Sequence, residues 1–391
     1  MVGPGPGETR ESDPLRRVRA CGRIMVNGQS ASVEVERDLG DARYGGLAVC
    51  GSIHACPVCS ASIRHQRAED IERAAETHLG NGGHVAMVTL TTSHSQGMAL
   101  AGLWDTVSKG LRYLRSGRKA KALNDQLGLV GTIRAVEVTV GRNGWHPHVH
   151  LLLFMDGGDS IEEQVRAIER VWAERWSMGI VRQGYPAPRQ PYGVRVQAVG
   201  LAAVGTYLAK VQDGFGGSWG PGREIARADL KRSLDGEGRT PFVVLEDYLR
   251  DGQPQDLAIW REWETASKGR RAIVWSNGLR DRLGLDEEVS DQEAAEGSAW
   301  ETDTVYVLCV EEWMAVLSAR KQYEVLEAAE RGRTEAVRGL LAGLLEVEPT
   351  DLGCDECEWS EDGYRMQACG GCRARMTRAL QGARRKETGD G

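Results

Sequence analysis

Trp145-His146-Pro147-His148-Val149-His150, running directly into Leu151-Leu152-Leu153-Phe154, is the stretch on which the reading of this chain turns. Three of the eight histidines in 391 residues stand here at alternate positions. A period of two is strand geometry, so the three imidazoles leave one face of a β-strand together. Neutral imidazoles gathered on one face point to a metal site, because each offers a lone pair to a divalent ion. The bland alternative is a hydrogen-bonded histidine cluster at the mouth of a strand.

Working outward, Thr132 to Phe154 reads as a β-hairpin turning at Gly141-Arg142-Asn143-Gly144. An even-numbered loop puts odd residues of the first strand on one face with even residues of the second, whether Gly141 meets Gly144 or Arg142 meets Trp145. Glu137 then lies beside His148 or His150, while Val136, Val138 and Val140 share the core side with Val149, Leu151 and Leu153. A bulge or an odd loop would leave Glu137 as an ordinary solvated glutamate.

Upstream, His84 to Thr92 is a β-branched strand, and Leu103, Val107, Leu111 and Leu114 give 100–114 the apolar stripe of a helix. Downstream, a helix over Ser160–Met178 carries Ile161, Val165, Ile168, Val171, Trp172 and Trp176 on its apolar side. These tryptophans read as core, not as a base-stacking platform. A proline-rich loop from Tyr185 leads to the strand Gly193–Val199, and then to a helix over Leu201–Lys210. On that helix Tyr207 and Lys210, three apart, project from neighbouring points of one face. The arginine-flanked segment Gly269–Arg280 is a strand and turn that contacts phosphates or closes the sheet.

Nine cysteines, eight of them in two groups of four, argue for zinc and against disulfides. Cys56 and Cys59 form a CxxC knuckle that Cys50 and the more distant Cys21 complete, with His54 or His65 as substitutes for Cys21. Cys354, Cys357, Cys369 and Cys372 form a second, ribbon-like CxxC pair. Both read as structural Zn²⁺ sites. Cys309, in the apolar run Val305–Val310, reads as a core residue.

The net charge of −7 argues superficially against a nucleic-acid partner. It is unevenly spread: residues 286–391 hold 12 basic and 24 acidic residues, and the remainder is net +5. A basic DNA surface on the larger part is therefore compatible with the composition. No apolar run approaches the roughly 20 residues that span a bilayer, and the start at Met1–Gly7 reads as a disordered leader, so a cytoplasmic protein is expected.

Two histidines and a carboxylate on a sheet face leave positions open for substrate oxygens, which suits Mg²⁺ or Mn²⁺ with a phosphate. A tyrosine on a nearby helix adds an oxygen nucleophile, and a lysine one turn on adds a cation for phosphate charge. Together these parts describe transesterification of a phosphodiester with the protein as temporary phosphate acceptor.

Here the chain resembles a known family. His148-Val149-His150 looks like the His-hydrophobe-His motif of HUH endonucleases, and more closely of single-tyrosine rolling-circle plasmid replication initiators of the actinobacterial type. Met87–Thr92 and Tyr207-Leu208-Ala209-Lys210 match two further motifs, and Cys50–Cys59 and Lys268–Arg280 extend the likeness over about residues 20–285. The resemblance implies an α+β fold, a palm-like central antiparallel sheet with flanking helices. It implies that Tyr207 attacks plasmid origin DNA in single-stranded or hairpin form, keeping a 5′-phosphotyrosine and freeing a 3′-OH primer. His148 and His150 carry over as metal ligands, Glu137 joins them by the parity argument, Lys210 stabilises the phosphate, and His146 becomes a spare or supporting member. Tyr185 and Tyr192 are rival nucleophiles. One departure stands out: where related initiators can carry a glutamate that activates water at termination, this chain has Ala203.

The implied organisation is a leader over 1–18, a zinc-knuckle unit over 19–82 and a nuclease domain over 83–285. An acidic linker over 286–300 and a helical accessory module with the zinc ribbon over 301–391 follow, the latter for origin or host-factor recognition. A host helicase or polymerase is the implied protein partner. Competing readings are a conjugative relaxase or transposase of the same chemistry, and a zinc-ribbon DNA-binding regulator without catalysis.

Overall fold

The computed structural model describes residues 16–26, 28, 30–37, 40–200, 238–297, 301–345, 358–359 and 366–367. In chain order its elements are α1 (Arg16–Ala20), β1 (Ser30–Glu36), β2 (Ala42–Gly45), α2 (Pro57–Gly80), β3 (His84–Leu90), α3 (Leu100–Leu114) and α4 (Gly117–Leu127). Then come β4 (Leu129–Gly141), β5 (Gly144–Met155), α5 (Ile161–Val181), β6 (Val194–Ala198), β7 (Gly238–Arg239), α6 (Pro241–Asp251), α7 (Pro254–Ser267), β8 (Ile273–Trp275) and α8 (Leu279–Arg282). The last are α9 (Asp291–Glu296), β9 (Thr302–Cys309), α10 (Val310–Ala319), α11 (Gln322–Leu345), β10 (Glu358–Trp359) and β11 (Met366–Gln367). The fold is mixed α+β, and the chain divides into two compact units, residues 53–217 with 227–290 and residues 1–52 with 218–226 and 291–391. Among the described residues no helix is long and apolar enough to cross a membrane.

The first of these units is built on a six-stranded sheet of order β6-β3-β5-β4-β7, with β8 also on β4. All of its pairings are antiparallel. Its centre is the β4–β5 hairpin, closed at Gly141↔Gly144 around the two-residue loop Arg142-Asn143, with Gly144 at φ +86°. That left-handed backbone suits glycine, and the short loop fixes the register. Val136, Val138, Val140, Val149, Leu151 and Leu153 are buried on the same face, as the even loop requires.

Helices α3 and α5 cover this apolar face. Their contact includes Gly110 and Gly179, where a Cβ on Gly179 would stand 3.0 Å from the Gly110 carbonyl. Glycine permits that approach. Trp172 and Trp176 of α5 are buried, so they are core residues as the sequence suggests, and Trp176 Nε1 donates to the Thr91 carbonyl at 2.6 Å. Helix α5 starts where Ser160 Oγ accepts from Glu163 N at 3.2 Å, with Glu162 and Glu163 against the positive end of the helix dipole. On the opposite face, α2 covers the far end of the sheet: His78 Nε2 meets the Met155 carbonyl at 2.9 Å and its ring lies edge-on to Phe154. The segment around β8 closes the sheet against β4, the second of the two roles expected for it.

In the other unit a three-stranded sheet of order β2-β1-β9 carries Ala31, Val33 and Val35 on its buried side. Trp313, Val316, Val325, Ala329, Val337 and Leu341 of α10 and α11 join them in one apolar core. Strand β9, from the stretch that sequence assigns to a separate accessory module, pairs with β1 through Ala31↔Leu308 and Val33↔Tyr306. The stretch 286–300, read as a linker, carries helix α9, whose Gln292 Nε2 donates to the Val49 carbonyl at 3.1 Å. Residues 16–18, read as leader, begin α1. Between α10 and α11 the chain leaves helical geometry at Arg320, which takes φ +57° while Lys321 N bonds back to the Val316 carbonyl. This C-cap ends α10 and turns the chain so that α10 and α11 share one apolar core with the same sheet. Cys309 is only partly buried and stands at the N-cap of α10, where Glu312 accepts from its backbone N–H at 2.9 Å. The strands β10 and β11 pair with each other between the two C-terminal CxxC motifs, whose four cysteines lie outside the described residues.

Candidate metal centre

The hairpin register decides the geometry of the site. Glu137 is the direct cross-strand partner of His148, and His150 lies one pair further along the same face, opposite Ala135. Strand β3 brings Thr89 against His150 from the other side. Glu137 Oε2 stands 3.3 Å from His150 Nε2 and 4.0 Å from His148 Nδ1. One ligand atom from each of Glu137, His148 and His150 falls within 4.8 Å of the others, a two-nitrogen, one-oxygen set that could hold a divalent ion. His150 is buried, whereas Glu137 and His148 are partly open.

Burial pushes the His148 imidazole down to about 4, with Glu137 opposing the shift and His150 and His94 adding to it. The same desolvation, helped by His148 and His94, takes His146 down to about 3. Both rings are therefore neutral near pH 7, the form in which a histidine can donate a lone pair to a cation. The donor set fits a metal. Its chemistry, nitrogen mixed with a carboxylate, accepts Mg²⁺, Mn²⁺ and other divalent ions alike.

Two neighbours were not singled out from sequence. Thr89 Oγ1 lies 3.2 Å from His150 Nδ1 and holds that ring with Nε2 towards Glu137. The ring of His94, just beyond β3, stacks on His146 with centroids 4.2 Å apart. His146 in turn reaches His148, Nδ1 to Nε2, at 3.0 Å. The signal for Thr89 was its strand parity; His94 lies in a loop and carries no periodic signature. Tyr207, Lys210 and Ala203 lie outside the described residues. Of the rival tyrosines, Tyr192 is 75% exposed in the loop before β6, and Tyr185 lies next to Gly102 of α3.

Near the amino terminus, one Sγ atom from each of Cys21, Cys50, Cys56 and Cys59 lies within 4.8 Å of the others. This four-cysteine cluster is a second possible metal site. Cys56 occupies the N-cap of α2 and Cys59 its first turn, with Pro57 starting the helix. His54, a possible substitute ligand, is engaged elsewhere. Its Nε2 meets the Arg270 carbonyl at 3.0 Å, and its ring stands edge-on to Trp104 and Trp263. Among the described residues its Nδ1 is buried without a partner, and burial, with Arg64 adding to it, pushes this imidazole down to about 4.

An antiparallel sheet that presents two histidines and a glutamate for a cation, together with a four-cysteine cluster elsewhere in the chain, defines a mixed α+β protein with two candidate metal sites. Comparison with known proteins narrows this class. The Rep_1 family model, described as "Replication protein", matches residues 47–182. "Protein rep" of Streptomyces lividans is 33% identical over 352 residues, covering 73% of this chain and 76% of that protein. The chain belongs to this replication-protein family. It is also similar to a "Neomycin resistance protein" of Streptomyces cyanogenus, 26% identical over 290 residues, 57% of this chain and 66% of that one. No solved structure matches the chain.

Proposed function

We propose that this replication protein initiates rolling-circle replication of a plasmid by nicking single-stranded origin DNA. The observation that carries the reading is the convergence of Glu137, His148 and His150 on the open face of the central sheet in a member of a replication-protein family. We assign the reaction to the unit that contains the six-stranded sheet, an HUH-type palm. The Tyr207 phenol oxygen attacks the scissile phosphorus, a phosphotyrosine bond to the 5′ side forms, and the bond to the 3′ oxygen breaks. The released 3′-OH serves as primer. Because the phosphodiester is exchanged and not hydrolysed, the step is reversible and the strand can be rejoined.

Glu137, His148 and His150 would hold Mg²⁺ or Mn²⁺, with Thr89 fixing the His150 ring. When bound, such an ion neutralises charge on the non-bridging phosphate oxygens. Lys210, three residues beyond Tyr207 in the sequence, offers a second positive charge to the same group. Zn²⁺ at Cys21, Cys50, Cys56 and Cys59, and at Cys354, Cys357, Cys369 and Cys372, is structural in this reading.

The test is a denaturing gel of protein incubated with Mn²⁺ and single-stranded origin oligonucleotides. Wild type forms a covalent 5′ adduct and Tyr207→Phe does not. An adduct that persists in Tyr207→Phe moves the nucleophile elsewhere, with Tyr185 and Tyr192 next to be substituted. Failure of wild type with every origin fragment of its own plasmid favours a DNA-binding regulator without catalysis.

A further inference from the structure

Strand β6 is the edge of the central sheet, and it contributes one charged side chain to the open face. Val194 and Val196 are buried on the apolar side, so the alternation sends Arg195 to the face that carries the histidines. The registers place it in line with them: Arg195 pairs with Thr89, and Thr89 pairs with His150. Two strand spacings, about 10 Å, therefore separate the backbone of Arg195 from that of His150. Arg195 is exposed and, among the described residues, its side chain makes no ion pair or hydrogen bond.

The loop before β6 presents a large aromatic from a fixed backbone. Tyr192 is 75% exposed, yet Thr91 Oγ1 donates to its carbonyl at 2.8 Å. On one side Gly193 N donates to the Arg189 carbonyl and its own carbonyl accepts from Thr91 N; on the other, Ser93 Oγ donates to the Ala187 carbonyl at 3.0 Å. A pinned loop with a bare ring is a platform that loses little entropy when something stacks on it.

We infer that Tyr192 and Arg195 form a binding track for single-stranded DNA flanking the scissile phosphate, with Arg195 on a backbone phosphate and Tyr192 under a base. A cation in line with the metal ligands and an exposed aromatic three residues away are the two components that sequence-tolerant single-strand binding uses. The track lies along the sheet edge, so it sets which stretch of strand crosses the metal centre. The inference rests on the nicking proposal for its substrate, but its readout is binding without added Mg²⁺ or Mn²⁺.

The experiment is fluorescence anisotropy of the full, zinc-replete chain with a labelled oligothymidylate and no added Mg²⁺ or Mn²⁺, over a series of salt concentrations. Wild type binds with a salt-dependent affinity. Arg195→Gln weakens binding and makes the slope of log affinity against log salt shallower by about 0.7, the amount for one single-strand phosphate contact. Tyr192→Ala weakens binding by about five- to a hundredfold, and Tyr192→Phe keeps the wild-type affinity because the π-face remains. An unchanged slope in Arg195→Gln, equal affinity in Tyr192→Ala, or no wild-type binding overturns the track. None of these depends on the nucleophile. Missing adducts with intact binding would count against the nicking proposal alone.

Discussion

The two sheets of this protein are assembled from opposite kinds of sequence information. The central pair of the larger sheet, β4 and β5, is contiguous in the chain and joined by two residues, so its register follows from its turn. The central strand of the smaller sheet, β1, takes one neighbour from the next few residues and the other from beyond residue 300. The first sheet orders itself locally and carries the candidate metal centre. The second needs a long loop closed before its core exists, the more costly arrangement in chain entropy. A functional side-chain constellation benefits from the first kind of scaffold, because register alone places Glu137 against His148.

Truncation tests this contrast most severely. Ending the chain at Ser290 removes β9, α10 and α11, and with them most of the apolar core around Val33 and Val35. The amides of Ala31, Val33 and Val35 should then lose hydrogen-exchange protection altogether, while those of Val149 and Leu151 keep theirs. Retained protection in β1 would mean that its partners lie elsewhere. Smaller lesions make the same comparison in energy. Leu308→Ala and Leu151→Ala each remove a fully buried leucine, and each should cost about 2–5 kcal/mol. Leu308→Ala should lower protection at 31–35, and Leu151→Ala at 85–90 and 133–138, as native-state exchange would resolve.

Acid should weaken the larger unit through His54. Its folded imidazole titrates near 4, below the ordinary 6.5, so between those values the unfolded chain binds the extra proton. The stabilisation is complete above about pH 6.5 and falls away as pH drops through 4, by about 3 kcal/mol in all. Chemical denaturation across that range, with no added Mg²⁺ or Mn²⁺, should show a shallower pH slope for His54→Gln than for wild type; identical slopes would remove His54 from the account. The mildest effect concerns the metal centre. Glu137→Gln should weaken Mn²⁺ binding at least about tenfold by calorimetry, with the fold intact. Equal affinity would show that the hairpin register brings Glu137 near the histidines without using it.

What was legible in the sequence follows the same division. Alternation in 145–154 and the four-residue turn gave the strand, its faces and the neighbourhood of Glu137, because each depends on residues within one hairpin. The stripe of Leu103, Val107, Leu111 and Leu114 gave α3 with the limits observed. Helix α4 was passed over: its polar surface leaves only Ala120, Leu123 and Leu127 buried, too few to mark a periodicity. The pairing of β1 with β9 had no local signature, since a period-two pattern says which side of a strand is apolar and nothing about which strand lies beside it. The break at Arg320 was hidden for a similar reason. A left-handed turn usually announces itself with glycine or asparagine, and here an arginine adopts it.

The pairing of β1 with β9 also imposes a wait. During synthesis, at about 5–20 residues per second, the chain leaves β1 behind for roughly 15 to 55 seconds before Cys309 is made. For that interval Ala31, Val33 and Val35 form an apolar strand whose second edge is unclaimed, in a cell where other strands can claim it. Slowing translation between β2 and β9 should therefore lower the yield of folded protein even though no residue has changed.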